Sequence, residues 1–171
     1  MKTIRLNNPD IDDLEVLGHQ IAWKNEHIAN VIEGTLLQLA KTDGPPIHLH
    51  PVQDEEFYIT EGELDVYKND KWIKLTAGQS IKIPAKTPHS YRNSSENPAV
   101  FEFRITPKGR FKQMIHEIDQ LVIEGKVKGK DFKSIMYMSR VMADYPDVTK
   151  NVNPPQFVVK TMGALAKIFL N

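Results

Sequence analysis

From residue 35 to residue 105 the chain falls into short apolar runs separated by turn-forming residues, and this rhythm restricts the folds open to it. The runs lie at 35–40, 47–50, 55–60, 63–68, 72–75, 80–83, 90–92 and 100–105. Asp43-Gly44-Pro45-Pro46 is a strong break, Asn69-Asp70 sits in a hairpin-type connection, and Ala77-Gly78 and 93–98 read as loops. Regularly spaced short strands of this kind predict a sandwich or a barrel.

Within that rhythm His48 and His50 sit one residue apart, so an extended strand presents both on one face. The acidic run Asp54-Glu55-Glu56 opens the next apolar segment, and His89 follows a proline-bounded turn after a later strand. Imidazoles with a carboxylate suit a divalent transition metal better than calcium or magnesium.

These two stretches resemble the paired motifs of the cupin superfamily. Gly44, His48, His50, Glu55 and Gly62 fill the first motif, a glycine, two histidines one apart, a glutamate and a glycine. Glu55 is chosen over Glu56 because it has the family's spacing to Gly62. Gly78, Pro84, His89 and Asn93 fill the second motif, with Lys86 where glycine is common. The resemblance covers about residues 34–106. It implies an all-β core, the double-stranded β-helix or cupin jelly-roll barrel. It also implies that His48, His50, Glu55 and His89 hold one divalent transition metal, Fe, Mn, Ni, Cu or Zn. An octahedral ion so held keeps positions open to water, dioxygen or substrate, the mark of a catalytic site.

Alternation along the strands carries Phe57 and Ile59 to the same side as Glu55 and carries Tyr91 inward from His89. With Phe101 and Phe103 these residues are expected to line a mostly apolar pocket suited to an aromatic or otherwise hydrophobic small molecule. Tyr91 is expected mainly to fill space, Asn93 to hold a turn, and Arg104 to face away from the pocket.

After Pro107 the period changes. Phe111, Ile115, Ile118 and Leu121 recur at helical spacing, as do Ile135, Met138 and Val141, and then Phe157, Thr161, Leu165 and Ile168. The expected organisation is N-terminal strands and loops over 1–33 packing on the barrel, a barrel core over 34–106, and a helical C-terminal extension over 107–171. Residues 2–6 read as a short edge strand and residues 20–24 as another strand. His19, His27 and His116 read as surface histidines.

Lysine plus arginine equals aspartate plus glutamate, at 22 each, which gives no global electrostatic basis for binding nucleic acid or an anionic membrane. The basic run at Lys126, Lys128, Lys130 and Lys133 has no aromatic stacking platform beside it and reads as a solvated loop. The absence of cysteine excludes disulfides and thiolate metal sites. No apolar run approaches the roughly 20 residues of a membrane span, and the N-terminus lacks the apolar region of a signal peptide. A cytoplasmic protein, homodimeric by family habit, is therefore expected.

The resemblance to small cupins of the quercetin-dioxygenase-like type implies an oxygenase-like metalloenzyme acting on an enolic or aromatic substrate. Glu55 would then double as a base if its environment raised its pKa. A metal-dependent isomerase or lyase would use the same ligands. A non-catalytic sensor or binding cupin, and a purely structural barrel, are the remaining readings, and turnover separates them from the enzyme.

Overall fold

The computed structural model describes residues 11–24 and 28–170. The strand expected at 2–6 and His27 lie outside them.

The chain builds two antiparallel sheets. Strand β1 (Ile11–Leu14) leads through a short 3-10 turn to β2 (His19–Trp23) and β3 (Ile32–Gln38). Next come β4 (Thr42–Asp43), β5 (Ile47–Leu49), β6 (Asp54–Glu61), β7 (Glu63–Lys68) and β8 (Lys71–Thr76). Strands β9 (Ser80–Ile83), β10 (His89–Asn93) and β11 (Ala99–Thr106) complete the predicted series. One sheet runs β1-β2-β3-β11-β6-β9, and the other contains β5-β10-β7-β8 with β4 on β10. Two facing antiparallel sheets with this order form the jelly-roll arrangement expected from the strand rhythm.

Side-chain parity decides what faces inward. Along β11, Ala99, Phe101, Phe103 and Ile105 are buried, while Arg104 points out toward Glu33. Along β6, Glu55, Phe57 and Ile59 are buried and Glu56 and Tyr58 are exposed. Pairing of β11 with β6 sets Phe101 opposite Ile59 and Phe103 opposite Phe57. The rings of Phe57, Tyr91 and Phe101 then meet edge to face, with centroids 5.0 to 5.7 Å apart. This geometry adds aromatic attraction to the burial of large apolar surface. Gly44 lies against Tyr91, where a Cβ would come within 2.7 Å of the ring. That contact accounts for the glycine in the first motif.

Beyond Pro107 the predicted helices are present as α1 (Phe111–Ile123), α2 (Phe132–Asp144) and α3 (Gln156–Phe169). Asp131 caps α2 by accepting from the backbone N–H groups of Lys133 and Ser134 at 3.0 and 3.1 Å. Helices α2 and α3 approach closely at Gly163, where a Cβ would lie 2.8 Å from the Ser139 carbonyl.

The segment between α2 and α3 adds a strand that the helical period did not predict. Strand β12 (Lys150–Asn153) pairs with β5, setting Asn151 opposite His48 and Lys150 opposite Leu49. Its four residues are too short and too polar to carry a recognisable alternation.

Candidate metal centre

Three strands deliver the side chains of the site. His48 and His50 flank Leu49 at the end of β5, Glu55 opens β6, and His89 opens β10 directly opposite His48. The three imidazoles offer nitrogens within 4.8 Å of one another. Glu55 Oε2 lies 3.0 Å from His89 Nε2 and 3.8 Å from His50 Nε2.

Each imidazole is held from behind. His48 Nδ1 lies 2.8 Å from the Pro46 carbonyl, His89 Nδ1 lies 2.8 Å from the Thr87 carbonyl, and His50 Nδ1 lies 2.6 Å from the Val148 carbonyl. A carbonyl can only accept, so each Nδ1 carries a proton, and Nε2 is the nitrogen that a metal would take once it is deprotonated. Metal-binding histidines are oriented in this way by partners behind the ring. The Nε2 atoms of His50 and His89 are buried without a hydrogen-bond partner. Buried polar atoms are rarely left so, and a cation between them and Glu55 satisfies both. By these observations the residues fit a divalent metal.

Electrostatics point the same way. Burial disfavours the charged form of His48, the neighbouring His89 and His50 add to this, and its pKa falls well below the ordinary value. Burial alone would raise the Glu55 pKa. The neighbouring His50 and His89 imidazoles outweigh it and hold the carboxyl well below the usual range. The Glu55 carboxylate thus stays ionised, as a metal ligand must. The raised pKa that a general base requires is not provided. His50 is shifted upward because Glu55 overcomes its desolvation.

His48, His50 and Glu55 line a cavity of about 600 Å³ with a mostly apolar wall. Phe57, Tyr91, Phe101 and Phe103 line it as well, whereas Ile59 lies in the core with no exposed surface. Tyr91 is packed against Phe57, Phe101 and Gly44, and burial raises its pKa. Asn93 holds the loop after β10, donating to the Asn97 carbonyl at 2.8 Å and accepting from the Ser95 N–H at 2.9 Å.

Two contributors to the cavity were not expected. His19 does not sit on the surface: it lines the cavity, its Nδ1 is buried without a partner, and burial lowers its pKa to about 4. Its parity with Ile21 and Trp23 was the available signal. The helices supply Met114, Met138, Met142 and Met162. Thioether side chains make an adaptable apolar wall. His116 is partly buried, with its ring 5.9 Å from that of Trp23, and stands apart from the three clustered histidines.

Residues 35–105 match the family model described as the cupin domain. That stretch is a cupin domain. Over 97 residues it is 30% identical to quercetin 2,3-dioxygenase of Bacillus subtilis, covering 55% of this chain and 28% of that protein. It is 30% identical over 87 residues to the probable oxidoreductase virH of Hypocrea virens, covering 49% of this chain and 38% of that one. A 60-residue stretch is 33% identical to polyketide synthase CurC of Streptomyces cyaneus, covering 35% and 39%. The matched stretches thus span less than two-fifths of these relatives' lengths.

Among solved structures, KdgF from Halomonas sp. superimposes with a TM-score of 0.51 at 18% identity, over 56% of this chain and 84% of that one. A sugar phosphate isomerase from the cupin superfamily of Silicibacter pomeroyi gives 0.50 at 20% identity, over 53% and 61%. These likenesses carry the cupin fold. No helix among the described residues is long and apolar enough to cross a membrane.

Proposed function

We propose that this cupin is a metal-dependent, oxygenase-like enzyme acting on an enolic or aromatic small molecule. The observation that carries the reading is the cluster of three imidazoles, each fixed through Nδ1 to a backbone carbonyl, beside ionised Glu55. His48, His50, Glu55 and His89 would hold one divalent ion, Fe, Mn, Ni, Cu or Zn. When bound, the ion supplies Lewis acidity and, if redox-active, electron exchange with dioxygen.

The chain's own residues do the rest. Phe57, Phe101 and Phe103 present flat apolar surface to an aromatic substrate, and the methionines of α1, α2 and α3 exclude water from it. The names of two relatives, a quercetin dioxygenase and a probable oxidoreductase, agree with oxidative chemistry. The apolar wall favours an aromatic ligand over a phosphorylated sugar. Because the Glu55 pKa is lowered, its first role is to hold the metal, and it would act as a base only when released from the imidazoles. The reading includes a cytoplasmic homodimer built on a barrel core over 34–106, with 1–33 packed on it and 107–171 as an extension.

The test is dioxygen uptake by iron-, manganese- or nickel-loaded protein given quercetin and a panel of simple enols and phenols. Metal-dependent uptake with product formation is expected. Saturable binding of these compounds without turnover would replace the enzyme by a binding module. Rearrangement or elimination without uptake would replace it by an isomerase or lyase.

A further inference from the structure

The Val148 carbonyl that orients His50 comes from 98 residues further along the chain, outside the barrel motifs. It belongs to the turn between α2 and β12, in which the N–H groups of Val148 and Thr149 both donate to the Tyr145 carbonyl, at 3.0 and 3.1 Å. The buried side chains of Tyr145 and Val148 anchor the turn in the core, and a clasp ties it to α1. Arg110, at the N-terminus of α1, donates through Nε to Asp147 Oδ2 at 3.1 Å and through Nη2 to Asp147 Oδ1. The same Nη2 donates to the Asp144 carbonyl at 3.1 Å. The Arg110 guanidinium also stacks on the Tyr145 ring, 4.3 Å from its centroid, and the Tyr145 hydroxyl donates to Glu117 Oε1 one helix face along. Tyr145 is 1% exposed and Val148 is fully buried.

An exposed ion pair taken alone contributes little. Here a planar fork grips a carboxylate with two hydrogen bonds, a backbone carbonyl with a third, and a buried ring by its face. Arginine alone among side chains offers that combination. The clasp sits where, among the described residues, the helical segment reaches a clustered imidazole ring with a hydrogen bond.

We infer that Arg110 and Tyr145 are positioning residues for the metal centre: by clasping the 145–149 turn to α1 they hold the Val148 carbonyl on His50 Nδ1 and so set the direction of the His50 Nε2 lone pair. This rests on the metalloenzyme reading for its consequence, but not for its geometry. His48 and His89 take their orienting carbonyls from residues two positions away in the chain, Pro46 and Thr87. Loosening the clasp should therefore disturb one imidazole of the three.

The experiment compares wild type with Arg110→Ala, Tyr145→Phe and Asp147→Asn, with Lys112→Ala as a control that removes a cation from the same helix. Zinc dissociation constants are measured by chelator competition. Exchange of the three Nδ1 protons is followed in nitrogen-15 histidine-labelled protein. Arg110→Ala is expected to weaken zinc about 10-fold, the lower end for loss of an orienting partner. It should also speed exchange at His50 while leaving His48 and His89 as in wild type. Asp147→Asn should follow in the same direction with a smaller effect, and it carries the test if Arg110→Ala does not fold. Unchanged His50 exchange in a folded variant, or equal loosening of all three histidines, would overturn the inference. Wild type that binds no zinc would defeat the metal reading instead, and selective exchange at His50 would still decide the clasp.

Discussion

The barrel segment over residues 35–105 and the segment after Pro107 were both readable as secondary structure, yet they differ in what their residues reveal about the site. In the barrel the site is made of side chains whose types and spacing are written in the sequence. His48 and His50 share a strand face, Glu55 opens the next strand in the facing sheet, and the chain crosses between the sheets to bring His89 back opposite His48. In the C-terminal segment the decisive contacts are long-range and made by backbone: β12 on β5, and the Val148 carbonyl on His50. A motif of side chains can be seen in a sequence. A carbonyl has no residue identity, so its role becomes visible only in three dimensions.

If the two regions are one cooperative unit, damage to either should shift the same unfolding transition. Phe101→Ala, which deletes a fully buried ring shared with Phe57 and Tyr91, is expected to cost about 3–5 kcal/mol. Val159→Ala on α3, buried but smaller, should cost about 1–2 kcal/mol on the same scale of lost methyl groups. Urea unfolding followed by both tryptophan fluorescence and far-ultraviolet dichroism should give one coincident transition in each variant. Separate transitions would divide the molecule into a barrel and an independent helical layer.

The N-terminal contribution can be tested by pH. Burial lowers His19 to about 4, below the ordinary 6.5 of the unfolded chain. As pH falls from 6.5 toward 4 the unfolded state takes up a proton that the folded state refuses, so stability is lost across that window. For a partly exposed residue the loss is about 1–3 kcal/mol after allowance for solvent. His19→Gln should flatten this part of the pH–stability curve relative to wild type. Parallel curves would mean that His19 is not held neutral by burial.

The smallest effect concerns the departure from the family motif. Lys86 has φ of 64°, a left-handed conformation that favours glycine, and its N–H donates to the His50 carbonyl at 2.7 Å. Its exposed side chain leaves the turn intact. Lys86→Gly should gain about 0.5 kcal/mol, relief of strain exceeding the added freedom of the unfolded chain. A loss of that size would show that the lysine side chain supports the turn.

How much was legible follows from these cases. Strands β7 and β9 match their sequence-based limits, 63–68 and 80–83, because alternation and flanking turns agree there. The barrel follows from the strand pattern and the pairing of His48 with His50 from parity, whereas Glu55 and His89 joined them through the resemblance to the cupin motifs. His19 was misread because an isolated histidine carries no spacing signal, although its strand neighbours Ile21 and Trp23 face inward. Strand β12 was missed because four residues between two helices, three of them polar, have no period to read. Met138 was legible as part of a helical stripe, but which cavity it walls off depends on how the helices dock.

The central claim, that three oriented imidazoles and Glu55 hold a divalent transition metal, is tested most directly by elemental analysis. Tag-free protein prepared without added metal or chelator is compared with the His89→Ala variant. The account predicts about one equivalent of iron, manganese, nickel, copper or zinc in wild type, lost in a variant that remains folded. Full occupancy in His89→Ala, or no metal in wild type and no thermal stabilisation when metals are added, would contradict it.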